Sequence, residues 1–275
     1  MWAVKNGLDI QVLYPDYSLP NSYQSIINQY EHIEIRSLSS SQNSDIWVAQ
    51  DIAEINSFER ISAPIVLRIS ISDFLTQYKD ITDLLHKVSR LNVVFTDVPT
   101  FSDDMECEYE KALSYAANVL VNLYLCNIPS QFNLITDRTM LTKMNNCNAG
   151  VDAIAVCPDG NFYICPAFYL SNHKHCGNTR VGINIPNKQL YSISYSPICR
   201  QCDAFHCRRC VILNKQLTCE INTPGHQQCL MAHIERRVAK KFLEEIRKYG
   251  EYASNVSIPA IDYNDPFFKI IKQPR

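Results

Sequence analysis

Ten of the chain's twelve cysteines fall between Cys147 and Cys229, and their spacing is that of metal ligands. Thiolates hold a thiophilic ion only where the chain returns to one point. C-x-x-C does this with a two-residue loop that aims two sulfurs at one centre and leaves backbone N–H groups near them. Cys199-x2-Cys202 is followed after four residues by Cys207-x2-Cys210, and Cys229 comes 19 positions later. Zinc ribbons separate their pairs by a dozen or more residues, so one tetrahedral zinc on all four thiolates is cramped here. Met1-Trp2-Ala3-Val4-Lys5 leads into no apolar stretch with a cleavage site, so the reading is a cytoplasmic chain whose clustered cysteines bind metal rather than pair as disulfides.

A second pair of sulfurs belongs to an expected β-hairpin. Stretches 151–157 and 161–168 flank Pro158-Asp159-Gly160, in which Pro presets φ and Gly accepts a left-handed position. Pairing residue 157 with 161 sets Cys165 opposite Ala153, and Cys147 lies beyond that end, able to bend back towards Cys165. Cys157 then sits beside the turn about 13 Å from Cys165, too far to share one iron–sulfur cube, and reads as a packing residue. Cys107 and Cys219 are expected to pack as well.

The array Cys147-x12-Gly160-x4-Cys165, gap, Cys199-x2-Cys202-x4-Cys207-x2-Cys210, gap, Cys229 resembles the SPASM domain that follows the catalytic barrel of many radical-SAM peptide-modifying enzymes. Two of its central spacings are each one residue shorter than that pattern. LITDRTMLTKMNNCNAG (134–150), CPDGNFYICPAFYL (157–170), CRQCDAFHCRRCVILN (199–214) and EINTPGHQQCLMAHIERR (220–237) are similar to CXXX-repeat peptide maturases. The likeness covers about residues 130–240 and the first half only in outline. It implies one or two auxiliary 4Fe-4S clusters. Cys199, Cys202, Cys207 and Cys229 would form the second cluster. Cys147, Cys165 and Cys210 would belong to the first, its fourth position open or filled by Cys126 or Cys176. One cluster, or zinc, stays open as an alternative.

Radical initiation needs C-x3-C-x2-C in the barrel, because three thiolates leave one iron free to bind S-adenosylmethionine. Before Cys147 only Cys107 and Cys126 exist, 19 positions apart. The resemblance is therefore to a pseudo-radical-SAM protein that does not cleave S-adenosylmethionine by itself. The expectation is a maturation factor that binds or positions a cysteine-rich precursor peptide or relays electrons, with a radical-SAM enzyme as candidate partner. The alternative is a zinc-stabilised interaction module without redox role. Whether the chain catalyses anything unaided stays open.

The elements that must position these sulfurs are read from pattern. Stretches 8–14, 33–38, 46–50, 65–71, 91–98 and 132–136 are short, β-branched and strand-like, and 22–30, 73–90 and 106–127 are helix-like between them. Alternation of this kind argues for an α/β layer with an open parallel sheet or partial barrel, too few strands to close an eight-stranded one. Residues 1–140 form this region, which opens in what reads as a helix tail. Residues 141–250 form the small cysteine-rich SPASM-like domain: hairpin, irregular ligand loops over 171–226, and a helix over 227–249 with apolar residues every fourth position. The Pro-punctuated tail 251–275 is unassigned.

Charge divides in the same place. Residues 1–146 hold 10 Lys and Arg against 18 Asp and Glu, net −8, while 147–275 hold 16 against 10, net +6. Arg200, Arg208 and Arg209 around Phe205 resemble a nucleic-acid surface, but arginines also offset the negative charge of a thiolate-bound cluster, the stronger reading. His175 and His206 beside the cysteines read as ordinary surface histidines before ligands. His233 and Glu235 lack H-E-x-x-H spacing, so metalloprotease chemistry is unsupported. Asp103-Asp104-Met105-Glu106 reads as a solvated helix start. Only 7 glycines occur, Gly7 alone before Gly150, so neither a P-loop nor a G-x-G-x-x-G site can be drawn. No run approaches the 18 apolar residues of a membrane span.

Overall fold

The computed structural model of the chain describes residues 7–40, 43–140, 148–202, 204, 210–251 and 258. It divides into two units: Met1–Thr100, Cys107–Asp137 and Lys241–Tyr252 form the first, and Phe101–Glu106, Arg138–Lys240 and Ala253–Arg275 the second.

Unit one is built on six strands, β1 (Gln11–Leu13), β2 (Ile33–Ser37), β3 (Ile46–Ala49), β4 (Ile65–Ile69), β5 (Arg90–Phe95) and β6 (Gln131–Phe132). All are parallel, and their order in the sheet is their order in the chain. A doubly wound sheet reverses direction at a switch point; this one advances one way, as a barrel wall does. The helices between them are α1 (Asn21–Ile27), α2 (Ile52–Asn56), α3 (Ile71–Asp83) and α4 (Glu106–Leu125). Each expected strand is present, and each is shorter than its apolar run.

The shortening has local causes. Ser70 ends β4 by capping α3: its hydroxyl accepts from Asp73 N–H at 3.0 Å and donates to the Asp73 carboxylate at 2.5 Å. This reciprocal cap starts the helix at Ile71, two residues before the expected start. Asn133 ends β6 because its side-chain amide takes over the pairing, donating to Val93 C=O at 3.0 Å and accepting from Val93 N–H at 2.9 Å. Helix α2, absent from the pattern reading, is nucleated by Asp51, whose carboxylate accepts from Ala53 N–H at 2.7 Å.

One sheet face is buried and the other is partly exposed. Ile65, Leu67, Leu91 and Val93 are buried, and Phe95 meets Phe74 of α3 and Tyr109 of α4 edge-on at 5.2 and 6.0 Å between centroids. On the opposite face Val66 and Asn92 are half-buried, and Arg68 and Val94 are exposed. The helix expected over 73–90 is α3 and a 3₁₀ turn at Leu84–His86, with Phe74, Ile81 and Leu85 buried; it stops there, and Val88, also buried, bridges Ile61.

In unit two the hairpin is β7 (Ala155–Val156) and β8 (Phe162–Tyr163), antiparallel, with Val156 opposite Phe162. Cys157 N–H donates to Asn161 C=O at 3.1 Å, the expected register. The strands are far shorter than expected. Asn161 also bridges Asn178, and Cys176 N–H donates to Phe162 C=O, so a second small hairpin, β9 (Gly177–Asn178) and β10 (Gly182–Ile183), lies beside β8. After β8 the chain forms α6 (Pro166–Leu170), preceded by α5 (Thr136–Met140) and followed by α7 (Val211–Thr218) and α8 (His226–Ile246). Residues 171–226 are therefore not wholly irregular: β9, β10 and α7 lie there. Helix α8 matches the expected 227–249, with 3₁₀ residues Arg247–Tyr249 completing it.

The core of unit two gathers Ala149, Phe162, Ile164, Phe168, Tyr191 and Ile212 with Cys157 and Cys176. Gly150, at φ +82°, lets Tyr191 close in; a Cβ there would stand 2.8 Å from its ring. Among the described residues no helix is long and apolar enough to cross a membrane.

Candidate metal centre

The C-x-x-C turn at Cys199 and Cys202 is a 3₁₀ turn (Cys199–Gln201) closed by Cys202 N–H donating to Cys199 C=O at 3.1 Å. Ala204 N–H donates to Cys202 Sγ at 3.4 Å. An N–H aimed at sulfur favours the thiolate over the thiol, the form that binds metal. The turn is tied to the segment leading into α8. Fully buried Ser196 donates to Asn222 C=O at 2.6 Å, and the Asn222 amide donates to Tyr195 C=O at 3.1 Å.

Helix α8 carries buried Cys229 and, one turn on, His233. Its start is fixed by a buried polar relay. Asn214 on α7 donates to Ile221 C=O at 2.7 Å, Gln228 donates to Asn214 Oδ1 at 3.0 Å, and Gln228 Oε1 accepts from Gly225 N–H at 2.7 Å. Gly225 leaves room for Leu217, since a Cβ there would stand 2.7 Å from Leu217 Cδ1. Further along, Arg138 and Glu235 form an ion pair at 2.5 Å with side chains only 2% and 1% exposed.

Cys202 and His233 are brought together, Sγ to Nε2 at 3.8 Å. Burial first, and then the Arg236, Arg138 and Arg237 guanidiniums, push the His233 imidazole down to about 4. It is therefore neutral near pH 7, the form that donates a lone pair to a metal. Thiolate and neutral imidazole are the donor set of zinc and iron, so the chemistry of this pair fits a metal. Among the described residues no three His, Cys, Asp or Glu side chains converge as a metal-holding group.

The other sequence-derived ligands are distributed as follows. Cys165 and Cys210 are half-buried and pack against the same core cluster of unit two. Cys165 does not lie in the second strand opposite Ala153. That strand ends at Tyr163, Cys165 stands in the N-cap position of α6 before Pro166, and Ala153 bridges Ala149 instead. A proline after Cys165 suits the first turn of a helix and stops the ladder. Cys210 stands in the N-cap position of α7. Cys147 and Cys207 lie outside the described residues, as do His206, Phe205, Arg208 and Arg209.

Of the two candidate additional ligands, Cys126 is exposed just after α4 in unit one. Cys176 is buried in the core of unit two, where burial pushes its thiol up and its Sγ donates to Phe162 C=O at 3.2 Å. Burial also pushes up the Cys157 thiol, with Asp159 adding to it, in keeping with a packing residue. Cys107 and Cys219 do not pack: both are exposed, the first at the solvent side of α4 and the second ending α7 at φ +62°. His175 Nδ1 accepts from Gly177 N–H at 3.3 Å, and its ring lies edge-on to Tyr163. Asp103 precedes α4 in a 3₁₀ turn and, rather than being only solvated, meets His226 Nε2 at 2.8 Å. Among the described residues no disulfide joins two cysteines.

H-E-x-x-H spacing does not single out His233. The signal that finds it is Cys229-x3-His233 on one helix, since residues four apart share a face. No protein-family model matches this sequence, and no curated protein matches it.

Proposed function

We propose that the chain is a metal-carrying maturation factor for a cysteine-rich ribosomal peptide, with unit two as a SPASM-like iron–sulfur module. In this reading Cys199, Cys202, Cys207 and Cys229 serve one cluster, and Cys147, Cys165 and Cys210 serve another. Bound there, such a cluster supplies one-electron chemistry. The chain's own residues do the rest. The C-x-x-C turn directs two sulfurs, Ala204 N–H steadies one of them as thiolate, and the Asn214–Gln228 relay fixes the helix that brings Cys229. The sequence holds no C-x3-C-x2-C, so radical initiation would belong to a separate partner enzyme. The sheet of unit one, advancing strand by strand in chain order, is compatible with a barrel wall that lost this chemistry. The observation that carries the proposal is the hydrogen-bonded C-x-x-C turn with its sulfur against a half-buried imidazole.

That same mixed sulfur–nitrogen pair favours a second reading, a zinc-stabilised interaction module, because structural zinc takes Cys and His together. Purification without oxygen separates them. A brown protein with iron and matching sulfide, binding a peptide with cysteine at every fourth residue, supports the first. A colourless protein with stoichiometric zinc supports the second.

A further inference from the structure

We propose that Tyr14, His32 and Glu34 form a proton-operated clasp on the edge of the unit-one sheet, closed when His32 takes up a proton. The clasp lies within unit one and is independent of the metal reading of unit two. Among the described residues β1 is an edge strand, three residues long and paired with β2. Tyr14 directly follows β1 and His32 directly precedes β2, so a bond between their side chains reinforces a short ladder.

The geometry fixes where the hydrogens sit. His32 Nδ1 stands 2.8 Å from Tyr30 C=O, which can only accept, so Nδ1 carries a hydrogen. In the neutral imidazole Nε2 is then a lone pair. It faces the Tyr14 hydroxyl at 3.1 Å and Glu34 Oε1 at 3.5 Å. Tyr14 meets Glu34 as well. Burial first and the Glu34 charge second push the Tyr14 phenol up, Arg36 pulls it down, and a hydrogen bond to Glu34 adds to the rise. The phenol therefore keeps its hydrogen throughout the range in which histidine titrates. Two acceptors, Nε2 and the Glu34 carboxylate, thus compete for the one hydrogen of Tyr14.

A proton from solvent completes the set. It binds the Nε2 lone pair; Nε2–H then donates to the Tyr14 oxygen, and Tyr14 O–H turns to Glu34. No other bond breaks and no electron changes hands. One hydrogen bond becomes two, each with an ionised partner, which is the stronger kind. The surrounding charges are Glu34 and Arg36 of β2 and, before β3, Asp45, which accepts from Glu34 N–H at 2.8 Å. Glu34 favours proton uptake, and Arg36, whose guanidinium lies over the Tyr14 ring at 3.5 Å, opposes it. Arg36 Nε also donates to Glu34 Oε2 at 3.1 Å, which leaves Oε1 turned to the clasp. The His32 side chain is 8% exposed and that of Glu34 28%, so solvent reaches the clasp on the Glu34 side.

The test is amide hydrogen exchange of the full chain, followed by NMR at about pH 5 and about pH 8, on either side of histidine titration. The reporters are Tyr14 N–H, bonded to Ile35 C=O, and Ile33 N–H, bonded to Ile10 C=O. Each is read as protection relative to Val93 N–H inside the sheet. Protection about threefold or more higher at the lower pH is expected, and that difference should vanish in Tyr14→Phe and in His32→Gln. In the wild type at the higher pH, imidazole nitrogen shifts should place the hydrogen on Nδ1. Protection that is equal or lower at the lower pH, a difference that survives in Tyr14→Phe, or a hydrogen on Nε2 at the higher pH would show that no such clasp operates.

Discussion

Gln228 and Asn214 join the two helices that bear Cys229 and Cys210: the Gln228 amide donates to Asn214 Oδ1 at 3.0 Å, and both side chains are at most 1% exposed. Asn214 also donates to Ile221 C=O. Asn214→Ala leaves the Gln228 donor and that carbonyl without their partner inside the protein, a loss of about 2–4 kcal/mol. Urea unfolding of the metal-free protein should show it as a lower midpoint at unchanged slope. The same variant should bind zinc more weakly, because the start of α8 is no longer held.

The Arg138–Glu235 pair makes a second, separable prediction. Breaking a buried ion pair by removing one partner costs about 3–5 kcal/mol, since the other charge is left in the interior. Arg138→Met and Glu235→Leu are each expected to destabilise by that order. The double variant should recover much of the loss, and a double-mutant cycle in urea reads the coupling directly.

Hydrogen bonding at the hairpin turn gives a pH signature. Tyr163 O–H donates to the Asp159 carboxylate at 2.7 Å. Asn161 and Tyr163 lower the Asp159 carboxyl from its ordinary value, and Asp159 pushes the Tyr163 phenol up to about 12. Asp159 is favoured as carboxylate in the folded protein, so its contribution is present above about pH 4 and lost as pH falls through the depressed value. Tyr163 is favoured as phenol, so its contribution is present below about pH 10 and lost as pH rises through about 12. The melting temperatures of wild type and Tyr163→Phe should therefore differ most between these limits and converge on both sides. A constant difference across the range would show that the hydrogen bond carries none of it.

Gly150→Ala tests the fit at the base of the hairpin. The substitution forces φ +82° on an L-residue and drives Cβ to 2.8 Å from the Tyr191 ring. A loss of about 1–3 kcal/mol is expected from strain and overpacking together, read by thermal unfolding. Gly160→Ala, also at positive φ but with open space around its Cβ, should cost less.

Much of the sheet was legible because its strands are β-branched runs punctuated by turn residues, and six of them stand where the pattern placed them. Their ends were less so. Ser70 and Asn133 are polar residues whose side chains take over backbone pairing, and an apolar run carries no mark of that. The turn at Pro158-Asp159-Gly160 marks a hairpin but not where its second strand stops, and the proline after Cys165 turns the chain into α6 instead. In the candidate site, the C-x-x-C turn was legible from spacing alone. His233 was not, because its partner Cys202 is 31 residues away in sequence and the two meet only once α8 is tied down. The expected packing of Cys107 and Cys219 failed because a thiol's burial depends on its place in the helix, which residue type does not state: Cys107 stands on the solvent side of α4 and Cys219 caps the end of α7.

The account stands on the thiolates of unit two holding metal, and metal content across cysteine variants tests it most directly. Wild type and Cys219→Ser, purified without oxygen, should carry the same stoichiometric iron with sulfide, or zinc. Cys202→Ser and Cys229→Ser should carry markedly less while remaining folded by circular dichroism. Equal metal in all four, or none in the wild type, would contradict it.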